Sequence, residues 1–278
     1  MEAIFPLLTI VLYDLIIIGL LYIIKYAMEC LHRKKEPVLG FGVDLFTFEE
    51  ALQYVHTCLK ENTGMQIVTI NPEMISLGNK DKEFAAVLNN ADLVIPDGVG
   101  VKIALKIKGI SQENIPGIEF SKKLIGMCEL EGFSIGLIGA KEEVIQKAVQ
   151  NIRNEHENLN ITYIRNGYFD EEQEKIIIEE LKAVSPRVLF VALGAPKQEL
   201  FISKLKPQMP NTVFIGVGGS FDVWSGMVKR APKIYQTLGL EWLYRTVKEP
   251  ARFKRIFPAL PLFLIQVIIE AIHENLVK

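Results

Sequence analysis

Between residues 36 and 228 the chain alternates short, continuous apolar runs with longer stretches in which apolar positions recur every three or four residues. The runs Gln66–Ile70, Asp92–Ile95, Phe133–Ile138, Ile161–Ile164, Arg187–Leu193 and Thr212–Val217 lack the strict alternation of half-exposed strands, and they predict strands covered on both faces. The periodic stretches predict helices at Thr47–Asn62, Pro72–Leu77, Lys80–Asn89, Val99–Lys108, Gly117–Glu131, Glu142–Asn154, Glu171–Val184, Pro196–Leu205 and Tyr235–Lys248. Strand–helix alternation of this kind predicts an α/β fold, a mainly parallel Rossmann-like sheet with helices on both faces. A soft boundary near Gly132 is compatible with the pattern, although nothing there reads as a flexible linker.

Two stretches depart from the alternation. Ala3–Ile24 carries a single charge, Asp14, and as a helix it would extend about 33 Å, enough to span a bilayer. Glu2 at the start and the lack of a small-residue cleavage site argue against a cleaved signal. Lys25 with the His32–Lys35 cluster predicts that the domain beyond the span is cytoplasmic. Asp14 and Pro6 leave a re-entrant or interfacial helix as the alternative. Near the other end, Ile256–Ile269 is almost wholly apolar but as a helix reaches only about 21 Å, too short to span. Just before it, Lys229–Arg255 holds eight Lys or Arg against Glu241 and Glu249, a local balance of +6 in a chain whose total is −2. Basic residues beside a non-spanning apolar helix predict a segment that meets anionic lipid and phosphate together. The expected organisation is therefore an anchor and linker over 1–35, a core over 36–228 and a membrane-associating appendage over 229–278.

Composition narrows the function classes. Near-neutral net charge argues against a nucleic-acid binder. The three cysteines form no CxxC pair, so neither a disulfide framework nor a zinc site is expected. HExxH, P-loop, GxSxG and DxD patterns are absent, and no metal ligand set is predicted. An oligomer is compatible with the sequence.

The candidate chemistry lies where predicted strands end. Thr69-Ile70-Asn71-Pro72 closes the first of the six runs, Pro96-Asp97-Gly98-Val99-Gly100 the second, Gly194-Ala195-Pro196-Lys197-Gln198-Glu199 the fifth. In open α/β sheets the ligand crevice lies outside the carboxyl ends of the strands, so these clusters can converge. Each also has a structural reading: Asn71 before Pro72 looks like a helix cap, Asp97 can cap the next helix, and Pro196 can start another. Asp97 stands out because Gly98 and Gly100 let a large ligand approach the backbone, and a carboxylate there can act as general base on a sugar hydroxyl. The sixth run ends in Gly216-Val217-Gly218-Gly219-Ser220-Phe221-Asp222, a glycine-rich turn whose amides can hold phosphate or ribose, or a purely steric turn. Arg245, Arg252 and Arg255 would share a helical face if the helix ran through Pro250, which is expected to break it. The alternative is a solvated basic face, or one that holds lipid headgroups only; arginine rather than lysine favours bidentate phosphate recognition.

Taken together, TINPEM, ADLVIPDGVG, GYF at Gly167–Phe169, ALGAPKQE, GVGGSFD and LGLEWLYRTVKEPARFKR resemble the WecG/TagA/CpsF glycosyltransferase family, in family order from about Leu39 to Arg255. The resemblance implies an inverting, metal-independent transfer without a cofactor, from a UDP-sugar (typically UDP-N-acetylmannosamine) to GlcNAc on undecaprenyl diphosphate, as in wall and surface polysaccharide synthesis. By motif it makes Asp97 the base and puts Thr69 and Asn71 in the same pocket. Gln198 contributes from the facing loop, with Gly98, Gly218, Gly219 and Asp222 lining the substrate. Arg245, Arg252 and Arg255 match an appendage that closes over the site at the membrane. One departure stands out: the family's E-R-V-x-G arginine is Asn114 here, so Lys102, Lys106 or Lys108 compensates, or the donor or acceptor differs. The alternative reading is a non-catalytic membrane protein that binds nucleotide or lipid phosphate; a nucleotide-sugar epimerase or dehydrogenase lacks its dinucleotide fingerprint.

Overall fold

Residues such as Ile67 and Val68, Leu93 and Val94, or Val188 and Leu189 are successive along a strand and so point to opposite sides, yet all are buried. Only a sheet covered on both faces satisfies that pattern. The computed structural model describes residues 34–237, 241, 243–244 and 250–277. The chain divides into two units, Met1–Lys35 and Glu36–Lys278. The expected membrane helix Ala3–Ile24 lies outside the described residues.

The described residues open with a two-stranded hairpin, β1 (Lys35–Val38) and β2 (Phe41–Asp44), whose turn at Leu39–Gly40 has positive φ at both residues. The sequence pattern missed it because its strands, KEPV and FGVD, carry charges, a proline and a glycine and form no apolar run. There follow α1 (Phe48–Lys60), β3 (Met65–Ile70), α2 (Pro72–Gly78), α3 (Lys82–Asn89), β4 (Leu93–Pro96), α4 (Val99–Ile107), α5 (Gly117–Glu131), β5 (Ile135–Gly139), α6 (Glu142–Glu155), β6 (Ile161–Arg165), α7 (Glu171–Val184), β7 (Val188–Ala192), α8 (Lys197–Leu205), β8 (Val213–Gly216), α9 (Ser220–Trp224), α10 (Lys233–Thr237) and α11 (Pro250–Val277). All six predicted strands form one sheet in the order β4-β3-β8-β7-β5-β6, and every pairing is parallel. Near Gly132 there is no domain boundary: the glycine is the left-handed C-cap of α5, and the sheet continues unbroken into β5.

On one face α1, α5, α6 and α9 pack over Ile67, Ile95, Leu137, Phe190 and Ile215. On the other, α2, α3, α4 and α11 cover Val68, Ile70 and Val94, while α7 and α8 cover Ile138, Leu189 and Phe214. The chain thus leaves β3 for one face and β8 for the other. The neighbouring pairs β8/β7, β7/β5 and β5/β6 split in the same way, which opens crevices along the carboxyl edge.

Pro250 is the first residue of the 28-residue α11, where its missing N–H costs nothing, so α11 starts at the proline; residues 245–249 before it lie outside the described ones. The helix carries Pro258 and Pro261 in its body and continues well beyond the apolar run that predicted it. Packing explains the length. Phe263, Val267 and Ala271, spaced by four, are buried, and α11 lies on α2 and α4. Leu262, Ile265, Ile269, Ile272 and Leu276, spaced by three and four, are exposed. Among the described residues no helix is long and apolar enough to cross a membrane.

Lys108, just past α4, locks α11 in place. Its side chain is only 2% exposed, with Nζ 2.7 Å from Glu274, 3.4 Å from Glu270 and 3.6 Å from Glu36, and it donates to the Pro37 carbonyl at 2.8 Å. Burial opposes its charge, yet the bonds and charges of Glu274 and Glu270 hold its pKa above the ordinary lysine value. Removing the amine strands carboxylates that remain partly solvated. Lys108→Met should therefore lose about 1–3 kcal/mol, less than for a fully buried pair, as read by urea denaturation.

Candidate active site

The carboxyl edge of the sheet gathers most of the predicted residues. The Asp97 N–H donates to Ile70 O at 2.8 Å and the Ile115 N–H to Pro96 O at 2.9 Å, so the segment after β3, the segment after β4 and the approach to α5 lie side by side. Gly117, first in α5, sits so close to Thr69 that a Cβ on it would lie 3.0 Å from the Thr69 methyl. Thr69, Asn71, Asp97 and Gly98 are all half-buried. Because β8 inserts between β3 and β7, the glycine turn and the Gln198 loop adjoin this group.

The structural readings of these residues separate. Asn71 is a helix cap: its Oδ1 accepts from Met74 N–H at 3.0 Å. Asp97 is not. The N-cap of α4 is Gly98, at φ 87, and no side chain caps that helix. The position demands glycine by its backbone, and nothing lies within 4 Å of where a Cβ would be. A half-buried carboxylate thus stands at a strand end beside bare, open backbone.

Gln198 is placed differently from a residue that offers its whole amide to a ligand. It is 4% exposed; its Oε1 accepts from Gly194 N–H at 3.2 Å and Gly218 N–H at 3.1 Å, and its Nε2 donates to Glu199 Oε1 at 2.7 Å. Two amides of the glycine segment are thereby engaged within the fold. The Gly218 amide is taken by Gln198 and the Ser220 amide by Val217 O at 3.0 Å. What the turn does offer is an open outer surface at Gly218, and Gly219 next to Asp222, whose Oδ2 is 3.6 Å from a Cβ built there.

A second crevice, a cleft of about 390 Å³, opens beside the first at the ends of β5, β6 and β7. Backbone bonds tie its floor: Ala140 N–H to Ala192 O at 3.0 Å and Gly167 N–H to Ala140 O at 2.8 Å. Lys197 Nζ stands 4.6 Å from the centre of the Phe169 ring, and the largely exposed Tyr168 is held by its N–H on Asn166 Oδ1 at 3.0 Å. Lys197, Tyr168 and Glu199 are the residues that sequence reasoning passed over. Each lies inside a motif, GYF or ALGAPKQE, but only the strand order shows what it faces.

Of the remaining predicted residues, Arg245 lies outside the described residues. Arg252 and Arg255 fall in the first two turns of α11, and their side chains lie outside the described ones too. Lys108 does not compensate for Asn114, because three carboxylates hold it behind α4; Lys102 and Lys106 are exposed on α4. The Asn114 Oδ1 is buried without a hydrogen-bond partner. Arg230 pairs with Glu119 in the first turn of α5 and, at 3.7 Å, with Glu241, so it brings a guanidinium to the helix that begins against Thr69.

Residues 36–276 match the model of the glycosyl transferase WecG/TagA/CpsF family. The chain belongs to that family. It is 36% identical over 201 residues to the N-acetylglucosaminyldiphosphoundecaprenol N-acetyl-beta-D-mannosaminyltransferase of Bacillus spizizenii, which covers 72% of this chain and 77% of the relative. To the protein of the same name in Bacillus subtilis (strain 168) it is 36% identical over 213 residues, covering 76% and 82%. The chain is a glycosyltransferase.

Proposed function

We propose that this glycosyltransferase moves N-acetylmannosamine from a UDP-sugar to the GlcNAc of a diphospho-undecaprenyl lipid, with inversion, at the cytoplasmic face of the membrane. The observation that carries the reading is the half-buried Asp97 carboxylate beside the open backbone of Gly98, with Thr69 on the neighbouring strand β3 and Asn71 just past its end. The names of the two Bacillus relatives supply the sugar and the acceptor.

In this reading Asp97 takes the proton of the acceptor hydroxyl as its oxygen attacks the anomeric carbon of the donor. The bond from that carbon to the β-phosphate oxygen breaks, and its electron pair leaves with UDP. The cleft at β5–β7 receives the nucleotide, with Lys197 at its wall, while Gly218, Gly219, Asp222 and Gln198 border the sugar and the diphosphate. Arg245, Arg252 and Arg255 offset the charge growing on the leaving diphosphate, which removes the need for a metal ion. The exposed apolar stripe of α11, the basic segment before it and the apolar stretch at residues 3–24 support a membrane location, with Lys25 and the His32–Lys35 cluster favouring the cytoplasmic side.

The test is turnover of the full chain with UDP-N-acetylmannosamine and a short-chain GlcNAc-diphospholipid in detergent and EDTA, followed by NMR of the product. UDP release with a β-linked product is expected; absence of release, or an α-linked product, would overturn the assignment. With the undecaprenyl acceptor in anionic vesicles, the rate should fall as salt rises from about 0.05 to 0.5 M, since the basic segment is screened over about 10 Å or less. An equal salt response in detergent would remove the lipid contact.

A further inference from the structure

Glu199 opens the first turn of α8, a place where a glutamate ordinarily reaches water and complements the helix dipole. Here it is 2% exposed, one oxygen accepts from Gln198 Nε2, and the other, Oε2, is buried with no hydrogen-bond partner among the described residues. A helix start does not require that arrangement. Gln198 explains it. The carbonyl and amino ends of a glutamine amide have nearly the same shape but opposite hydrogen-bonding character. Gln198 has to face two donors, the N–H groups of Gly194 and Gly218, with its oxygen. A rotation by about 180° would set NH₂ against both. Glu199 disfavours that rotation, because its Oε1, 2.7 Å away, accepts from the NH₂ end and would face the carbonyl as a second acceptor. Space for the pair exists because residue 216 is glycine: a Cβ there would lie 2.5 Å from Gln198 Nε2 and 2.9 Å from Glu199 Oε1.

The two amides that Gln198 joins belong to different loops, one after β7 and one after β8. Gly194 (φ 74) and Gly218 (φ 49) are both left-handed, and nothing lies within 4 Å of a Cβ built on either, so each loop is clamped from behind and open in front. We propose that Glu199 is a positioning residue of the transferase: it fixes the orientation of the Gln198 amide and, through it, the spacing of the two loops that border the donor diphosphate. This rests on the donor site proposed above, although the clamp itself can be read without substrate.

Amide hydrogen exchange at Gly194 and Gly218, followed by NMR on the full chain without ligand, tests the clamp, and donor KM and kcat test its use. Glu199→Leu removes the acceptor and should speed exchange at both glycines by about tenfold or more, the worth of one lost hydrogen bond, with Ile138 and Val191 in the sheet unchanged. Donor KM should rise by a similar factor with kcat less affected, whereas Glu199→Gln, which keeps a carbonyl for Gln198, should return both readings to within about threefold of the parent. Unchanged exchange in a folded Glu199→Leu protein would overturn the proposal. If that variant does not fold, exchange in Gln198→Glu, which sets two acceptors face to face, is compared with the swap Gln198→Glu/Glu199→Gln. The swap should restore protection, and its failure to do so would equally overturn the clamp. Altered exchange with an unaltered KM would keep the clamp and sink the donor-site reading.

Discussion

Asp97→Asn is expected to bind UDP as the parent does and to turn over about 10²–10⁴-fold more slowly, the usual worth of a general base. The amide matches the carboxylate in shape but cannot take a proton from the acceptor hydroxyl. The backbone bond from Asp97 N–H to Ile70 O does not depend on the side chain, and α4 is capped at Gly98 rather than at Asp97. Loss of a cap would show as about 1 kcal/mol of stability with chemistry retained; loss of a base shows as slow turnover in a protein that melts like the parent. Comparing kcat at saturating donor and acceptor with the denaturation midpoint separates the two. Near-parental turnover in Asp97→Asn would remove this residue from the chemistry.

Glu199→Gln should be more stable than the parent chain by an amount that depends on pH. Burial pushes the Glu199 carboxyl up to about 7 from the ordinary 4.5, against a smaller opposing effect of its bond from Gln198. Between those values the folded chain keeps a proton that the unfolded chain has released, so the contribution of Glu199 to stability falls as pH rises through the window. Below about 4.5 both states are protonated, and the two proteins should differ least. Above about 7 the parent carries a buried carboxylate, and the gap should level off at up to about 3 kcal/mol, each pH unit across the window adding at most about 1.4 kcal/mol. Urea denaturation of both proteins at about pH 4.5, 6, 7 and 8 reads the difference directly, because all other titrating groups are common to them. Parallel stability curves would mean that Glu199 ionises freely in the fold.

The asymmetry between these residues reflects how each was encoded. Asp97 was legible because its signal is local: an apolar run, a carboxylate, then two glycines spaced for a bare backbone. Glu199 looked like an ordinary first-turn acid of α8. The space its carboxyl occupies is left by Gly216 at the end of β8, a strand that follows α8 in the chain. The glycine turn likewise depends on a neighbouring strand. Its sequence suggests amides held ready for phosphate, but which acceptor meets the Gly218 N–H is decided by the neighbouring strand, and that acceptor is Gln198.

Local pattern alone set the elements and the layers. Runs such as Leu93–Ile95 and Val188–Ala192 have no polar position, which forces burial on both faces, and the intervening helical periods supply the elements that do the covering. The same pattern set polar and glycine clusters at strand ends, since strand and cluster are contiguous in the chain. Strand order was left to the packed fold, and with it the insertion of β8 between β3 and β7 that brings the Asp97 group next to Gln198. So was the division of the apolar run in α11. Both halves of that run have the same local composition, yet Phe263 and Val267 seat on α2 and α4 while Ile265 and Ile269 face outward. Hydrophobic periodicity records that a side chain is apolar and which way it points relative to its neighbours in the chain. What lies opposite it is a contact between segments far apart in sequence, and only the folded chain settles that.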